Sequence, residues 1–135
     1  MEYRVKKCFL VIVLCYLAIF NSPLFSEEIS DSTVFDISGT WLTVLEPPRD
    51  NYREYLKIKQ DGTRITGGHI AETNLGVHKT PLNGEINQEG KITISMNIVN
   101  VGLVRLLLSV SQNQNELTGT YRHPKASGSA KYVKR

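Results

Sequence analysis

The chain predicts an all-β domain, an eight-stranded antiparallel up-and-down barrel, and three observations carry that expectation. From Ile37 onward, short apolar segments alternate with period two and no window holds a helical repeat over three turns. Turn residues punctuate the segments at short intervals, as at Asp61-Gly62, Gln88-Glu89-Gly90 and Gln112 to Asn115. An apolar, Ser/Thr, Gly pattern begins at Ile37-Ser38-Gly39-Thr40-Trp41 and returns at Ile65-Thr66-Gly67 and Leu117-Thr118-Gly119-Thr120-Tyr121.

The first strand is expected over about 39–46 and the second over 54–60, where Leu56 and Ile58 alternate with lysines. The third covers about 63–71. The fourth runs over about 80–87, with Leu82, Gly84 and Ile86 on one face; Pro81 has no N–H for a ladder and belongs at a strand start or bulge. Ile92, Ile94, Met96 and Ile98 alternate with polar residues in the fifth strand, the clearest half-buried pattern in the chain. Asn100-Val101-Gly102 breaks it. The sixth, 103–111, sets Val104, Leu106, Leu108 and Val110 on one face, while Leu107 makes the other partly apolar and hints at self-association. The seventh and eighth cover about 116–122 and 128–134. Sequential hairpins favour a closed barrel, which removes exposed edges, over the alternative of a two-sheet β-sandwich.

Three divisions precede and contain this pattern. Residues 1–26 read as a secretory signal: Arg4, Lys6 and Lys7 precede an apolar run from Cys8 to Phe20, too short to span a bilayer comfortably as a helix. Export to the periplasm or beyond follows from that reading, with an uncleaved anchor as the alternative. Residues 27–36 form a polar, acidic leader, flexible or loosely docked, and 37–135 form the barrel domain. Both cysteines, Cys8 and Cys15, lie in the signal, so the exported part has no disulfide and no cysteine nucleophile. The net charge of +3 falls to +1 without the signal, since 13 basic residues then face 12 acidic ones. With no basic run interleaved with aromatics, nucleic acid is a poor partner.

In a meander, the connections alternate between two ends. Three of those at the end away from Trp41 read as longer and irregular: 46–53 with Pro47-Pro48, 72–79, and 123–127. That end is therefore the expected mouth. Arg49, Tyr52, His78, Lys79, Tyr121 and His123 are the candidate ligand-binding residues there; Arg49, Tyr52 and Lys79 suit a carboxylate or phosphate head group, with Tyr121 or Tyr132 along the wall beneath. An eight-stranded barrel is just wide enough to be filled or to hold one small ligand. Ile, Leu and Met of the fifth and sixth strands argue for filling; Gly67, Gly84, Gly119, Gly128 and Ala130 leave room.

At the opposite end, Gly39 and Trp41 begin the first strand and Lys134 and Arg135 close the last, a structural floor in which Arg135 or Lys134 covers the indole. Gly39-Thr40-Trp41 with a closing basic residue resembles the calycin group, the lipocalins, fatty-acid-binding proteins and avidins. The resemblance implies the barrel and the floor role of Trp41; because Trp41 is the only tryptophan, the walls of a biotin site are not implied.

Catalysis and metals find little support. His69, His78 and His123 with Glu72 match no metal-ligand spacing and read as scattered histidines, so no metal or cofactor is expected. Ala126-Ser127-Gly128-Ser129-Ala130 lacks the spacing and context of a serine nucleophile and reads as a loop entering a strand. The same segment through Tyr132 is similar to an element of bacterial lysozyme inhibitors. The expected function is an exported, non-enzymatic barrel that binds a small apolar or amphipathic molecule. The alternative is an inhibitor or interaction protein acting on a secreted or envelope enzyme such as a protease. Small periplasmic metalloprotease inhibitors look similar in size, early Gly-x-Trp and basic C-terminus, although they carry a disulfide that this chain lacks.

Overall fold

The computed structural model describes residues 35–135; the signal reading and residues 27–34 of the leader lie outside the described residues. Eight strands follow one another: β1 (Gly39–Thr43), β2 (Arg53–Asp61), β3 (Arg64–Thr73), β4 (Gly76–Ile86), β5 (Lys91–Ile98), β6 (Gly102–Val110), β7 (Glu116–His123) and β8 (Ala126–Lys134). Each pairs antiparallel with its sequence neighbours, and β1 pairs with β8, so the sheet closes as an up-and-down barrel. The β-sandwich alternative is thereby excluded. The outline agrees with a calycin-like barrel.

Period two sets which side chains enter the core. Leu56 lies opposite Trp41, Ile94 opposite Leu106, and Leu117 opposite Tyr132, all buried on the inner face. Trp41, Leu56, Ile65, Ile94 and Leu117 are fully buried. This half of the interior is filled with side chains, and Ile37 closes it from below, also fully buried. Its amide donates to Gln60 Oε1 at 2.9 Å, and Gln60 Nε2 donates to the Phe35 carbonyl at 2.8 Å. The last leader residues are thus docked under the floor.

Three of the inward glycines do not leave room for a ligand. A Cβ on Gly67 would stand 1.9 Å from the Lys57 carbonyl oxygen, on Gly84 2.3 Å from that of Thr93, and on Gly119 1.9 Å from that of Leu107. These glycines let neighbouring backbones approach where the sheet coils, a use that spacing alone does not distinguish from open space. Gly128 is covered by the Tyr121 ring, 2.9 Å from where its Cβ would be.

The loop asymmetry is smaller than expected. At the far end only 44–52, between β1 and β2, is long; β3 and β4 are joined by 74–75, β5 and β6 by 99–101, and β7 and β8 by 124–125. Two expected loops are largely strand instead, because Arg122 pairs with Ser127 and His123 with Ala126, and Glu72 pairs with Val77 and Thr73 with Gly76. The turn closes itself: Thr73 Oγ1 donates to the Gly76 carbonyl and accepts from the Leu75 amide. Conversely, β1 stops at Thr43, shorter than expected, and Pro47 and Pro48 have no N–H with which to extend its ladder. Pro81 lies inside β4, and pairing with β5 begins at the next residue, Leu82.

Candidate functional site

The floor is built around Trp41. Its Nε1–H donates to the Ile37 carbonyl at 2.7 Å, and Lys134 Nζ lies 5.4 Å from the ring centroid. Lys134, not Arg135, is therefore the cation over the indole. The register explains this: Lys134 is the direct partner of Trp41 and shares its inner face, whereas Arg135 is one residue out of phase. The Arg135 amide instead donates to the Thr40 carbonyl, and its side chain lines an outer cleft of about 270 Å³ with Leu42, Tyr55 and Glu72. Gly39, at φ +131°, leads the chain into β1.

Toward the mouth the inner face becomes polar on one side. Glu54 lies two residues before Leu56 and shares its phase; His69 lies opposite Leu56. His69, only 4 % exposed, and Glu54 share a hydrogen bond of 2.5 Å between Nε2 and Oε1. Tyr52 donates its hydroxyl to Glu54 Oε2 at 3.2 Å. The Tyr52 phenol is pushed up from its ordinary value by burial and by the adjacent Glu54 charge. Tyr132, buried on β8, is pushed up well beyond it by burial, with Glu54 adding to the effect.

Thr43 completes the group. It lies opposite Tyr132, one residue beyond the last β1–β2 pair, Leu42 with Tyr55. Its buried Oγ1 has no hydrogen-bond partner among the described residues. Such a group is costly unless a water or ligand completes it. Across the barrel, Met96 and Val104 face each other, with Ile98 and Val101 partly buried above them. One wall of the mouth thus accepts and donates hydrogen bonds and the opposite wall is apolar.

The six mouth residues named from sequence do not converge on one point. Tyr52 joins the Glu54–His69 group, and Arg49 sits over the Tyr52 ring at 5.9 Å. Arg49, Asp50 and Tyr52 also line an outer groove of about 520 Å³ with Glu72 and Asn74. Tyr121 and His123 stack on β7 with ring centroids 6.0 Å apart, and His123 Nδ1 accepts the Lys125 amide. His78 shares the inner phase but is exposed at the rim, while Lys79 lies opposite Ile70 and takes the outer phase. Sequence reading passed over Glu54, Thr43 and the pairing of His69. The alternation that placed Leu56 and Ile58 inside extends to Glu54, and that of Ile65 and Gly67 extends to His69, so the phase was available.

His69 and Glu72 are neighbours in sequence but occupy different faces: Glu72 accepts the Tyr55 hydroxyl at 2.8 Å outside the barrel. That hydrogen bond raises the Tyr55 phenol. No group of three His, Cys, Asp or Glu side chains among the described residues is disposed to hold a metal.

The buried phenols predict alkaline lability. An unfolded tyrosine ionises near pH 10. Tyr132 keeps its proton to higher pH in the fold, so the native state binds more protons above that point and stability falls as pH rises past about 10. Tyr132→Phe is expected to flatten this fall, with urea midpoints at pH 9 and 11 as the measurement. An equally steep fall in the variant would assign the effect to other groups.

Comparison with protein-family models and with curated protein sequences finds no match for the chain.

Proposed function

We propose that this is an exported, non-enzymatic barrel that binds one small amphipathic molecule in the mouth half of its interior. The buried, unpartnered Thr43 hydroxyl beside the Glu54–His69 pair supports this most directly. Glu54 has about four lone-pair directions and the described contacts use two, so its carboxylate retains capacity for a donor. The head group that suits this wall is a hydroxyl or an amine, and the Met96, Val104 and Ile98 wall suits an apolar body. Because the floor half is packed, the ligand enters only to about the level of Tyr132 and Met96.

N-phenyl-1-naphthylamine, an apolar amine whose fluorescence rises out of water, tests the site on the full chain. Saturable one-to-one binding is expected, weakened roughly 10- to 100-fold by Glu54→Gln, the scale of one charge-assisted hydrogen bond. Native mass spectrometry of the purified chain should show a copurified small molecule. Absence of both saturable binding and any copurified molecule would sink the reading.

A further inference from the structure

Following the mouth rim from the β3–β4 turn to the β7–β8 turn crosses three connections, and the charges along it are one-sided. Residues 74–81, 97–105 and 121–127 contain no Asp or Glu, yet they carry Lys79, Arg105, Arg122 and Lys125. The carboxylates of β4 to β8, namely Glu85, Glu89 and Glu116, are all near the floor end. Those near the mouth, Glu46, Asp50, Glu54 and Glu72, belong to the β1–β3 side.

Two further features coincide with the basic arc. Arg105 and Arg122 are directly opposite partners on the outer face, and both are exposed. Like charges in that relation are destabilising. Large apolar side chains project from the same arc: Leu75 is 89 % exposed, Val99 81 %, Val77 57 % and Leu103 44 %. Leu75 and Val99 stand on separate turns at the same end of the barrel. One exposed leucine is ordinary, but four of the five large exposed apolar side chains among the described residues lie in this carboxylate-free basic arc, with Leu107 alone outside it.

We propose that this rim docks on an anionic lipid surface. The Leu75 and Val99 turns enter the boundary between head groups and acyl chains, and Lys79, Arg105, Arg122 and Lys125 lie against lipid phosphates. Apolar groups on separate projecting turns fit a fluid surface, which closes around each of them, better than a protein partner that would need a matching hollow for each. Phosphates supply the counter-charge that the Arg105–Arg122 pairing invites. The inference does not depend on the mouth holding a ligand.

The test places a reporter on the rim of the full chain. Trp41 is fully buried at the floor and supplies a constant background. Val99→Trp is mixed with vesicles of phosphatidylcholine, with and without phosphatidylglycerol, carrying brominated acyl chains as quenchers. Glu89→Trp reports the opposite end. The expected result is a blue shift and quenching of Val99→Trp that require phosphatidylglycerol, with Glu89→Trp unquenched. Adding Arg105→Gln and Lys125→Gln to Val99→Trp should raise the lipid needed for half-maximal quenching roughly thirtyfold, given the usual attraction of each cation to an anionic surface. An unquenched Val99→Trp, equal quenching at both ends, or quenching independent of phosphatidylglycerol would overturn the proposal. Because apolar residues 8–20 can partition into lipid without the barrel, the position of the quenched tryptophan decides the matter rather than binding itself.

Discussion

Trp41→Ala is expected to destabilise the barrel by roughly 3–5 kcal/mol, the usual cost of truncating a buried tryptophan. The side chain is fully buried, so the variant loses its burial and leaves a cavity that the coiled sheet cannot collapse to fill. Two local effects add to this. The Ile37 carbonyl loses its donor at 2.7 Å, and Ile37 itself loses the surface it seals against. Lys134 loses the ring face beneath its ammonium group. Urea unfolding followed by far-UV circular dichroism, which needs no tryptophan, measures the difference. Trp41→Phe should recover most of the packing but not the indole hydrogen bond, and so fall between the two. If Trp41→Ala unfolded within about 1 kcal/mol of the parent, the floor would not be the stabilising centre described above.

Gly67→Ala is expected to cost a similar amount, on the order of 4 kcal/mol, without removing a single atom. Gly67 has φ +149°, in a region that side chains rarely occupy. Its Cβ would stand 1.9 Å from the Lys57 carbonyl oxygen, so β2 and β3 must separate there or twist apart. Backbone strain and overpacking each cost about 1–3 kcal/mol. Gly62→Ala is a useful contrast, since that turn glycine also has positive φ but nothing within 4 Å of the added methyl. An Ala enters the left-handed region at φ +59° for roughly 1–2 kcal/mol, whereas φ +149° is nearly closed to it, so the difference between the two variants reports that extra strain together with the close approach. A Gly67→Ala protein no less stable than Gly62→Ala would mean that the β2–β3 approach is soft.

The strand order and inner faces could be read from sequence because a half-buried strand shows its phase in every second residue. Leu56 and Ile58, then Ile92 to Ile98, then Val104 to Val110 each carried their own evidence. Strand length was less visible. Glu72 to Lys79 has the composition of a loop, yet the cross-strand pairing of Glu72 with Val77 continues the sheet through it. The polar group at the mouth was missed for a related reason. Glu54 and His69 are ordinary surface residue types, and only the extension of a neighbouring apolar phase brings them inside. The glycines were misread because the same absence of a side chain serves open space and a close backbone approach. Which use applies depends on the coiling of the sheet, a property of the closed ring rather than of any segment. Lys134 and Arg135 were interchangeable in composition and were separated by register alone.

The join between β1 and β8 pairs Trp41, Leu42 and Thr43 with Lys134, Val133 and Tyr132, and the Val44 amide adds a bond to the Lys131 carbonyl. It joins segments some 90 residues apart, through the shortest strand in the sheet. Every other neighbouring pair can form as a local hairpin, so this contact bears the long-range entropy of ring closure almost alone. Until residue 134 has emerged, β1 has no partner on one side, and the growing sheet keeps an open edge able to pair with another chain. The ring therefore makes productive folding a late event.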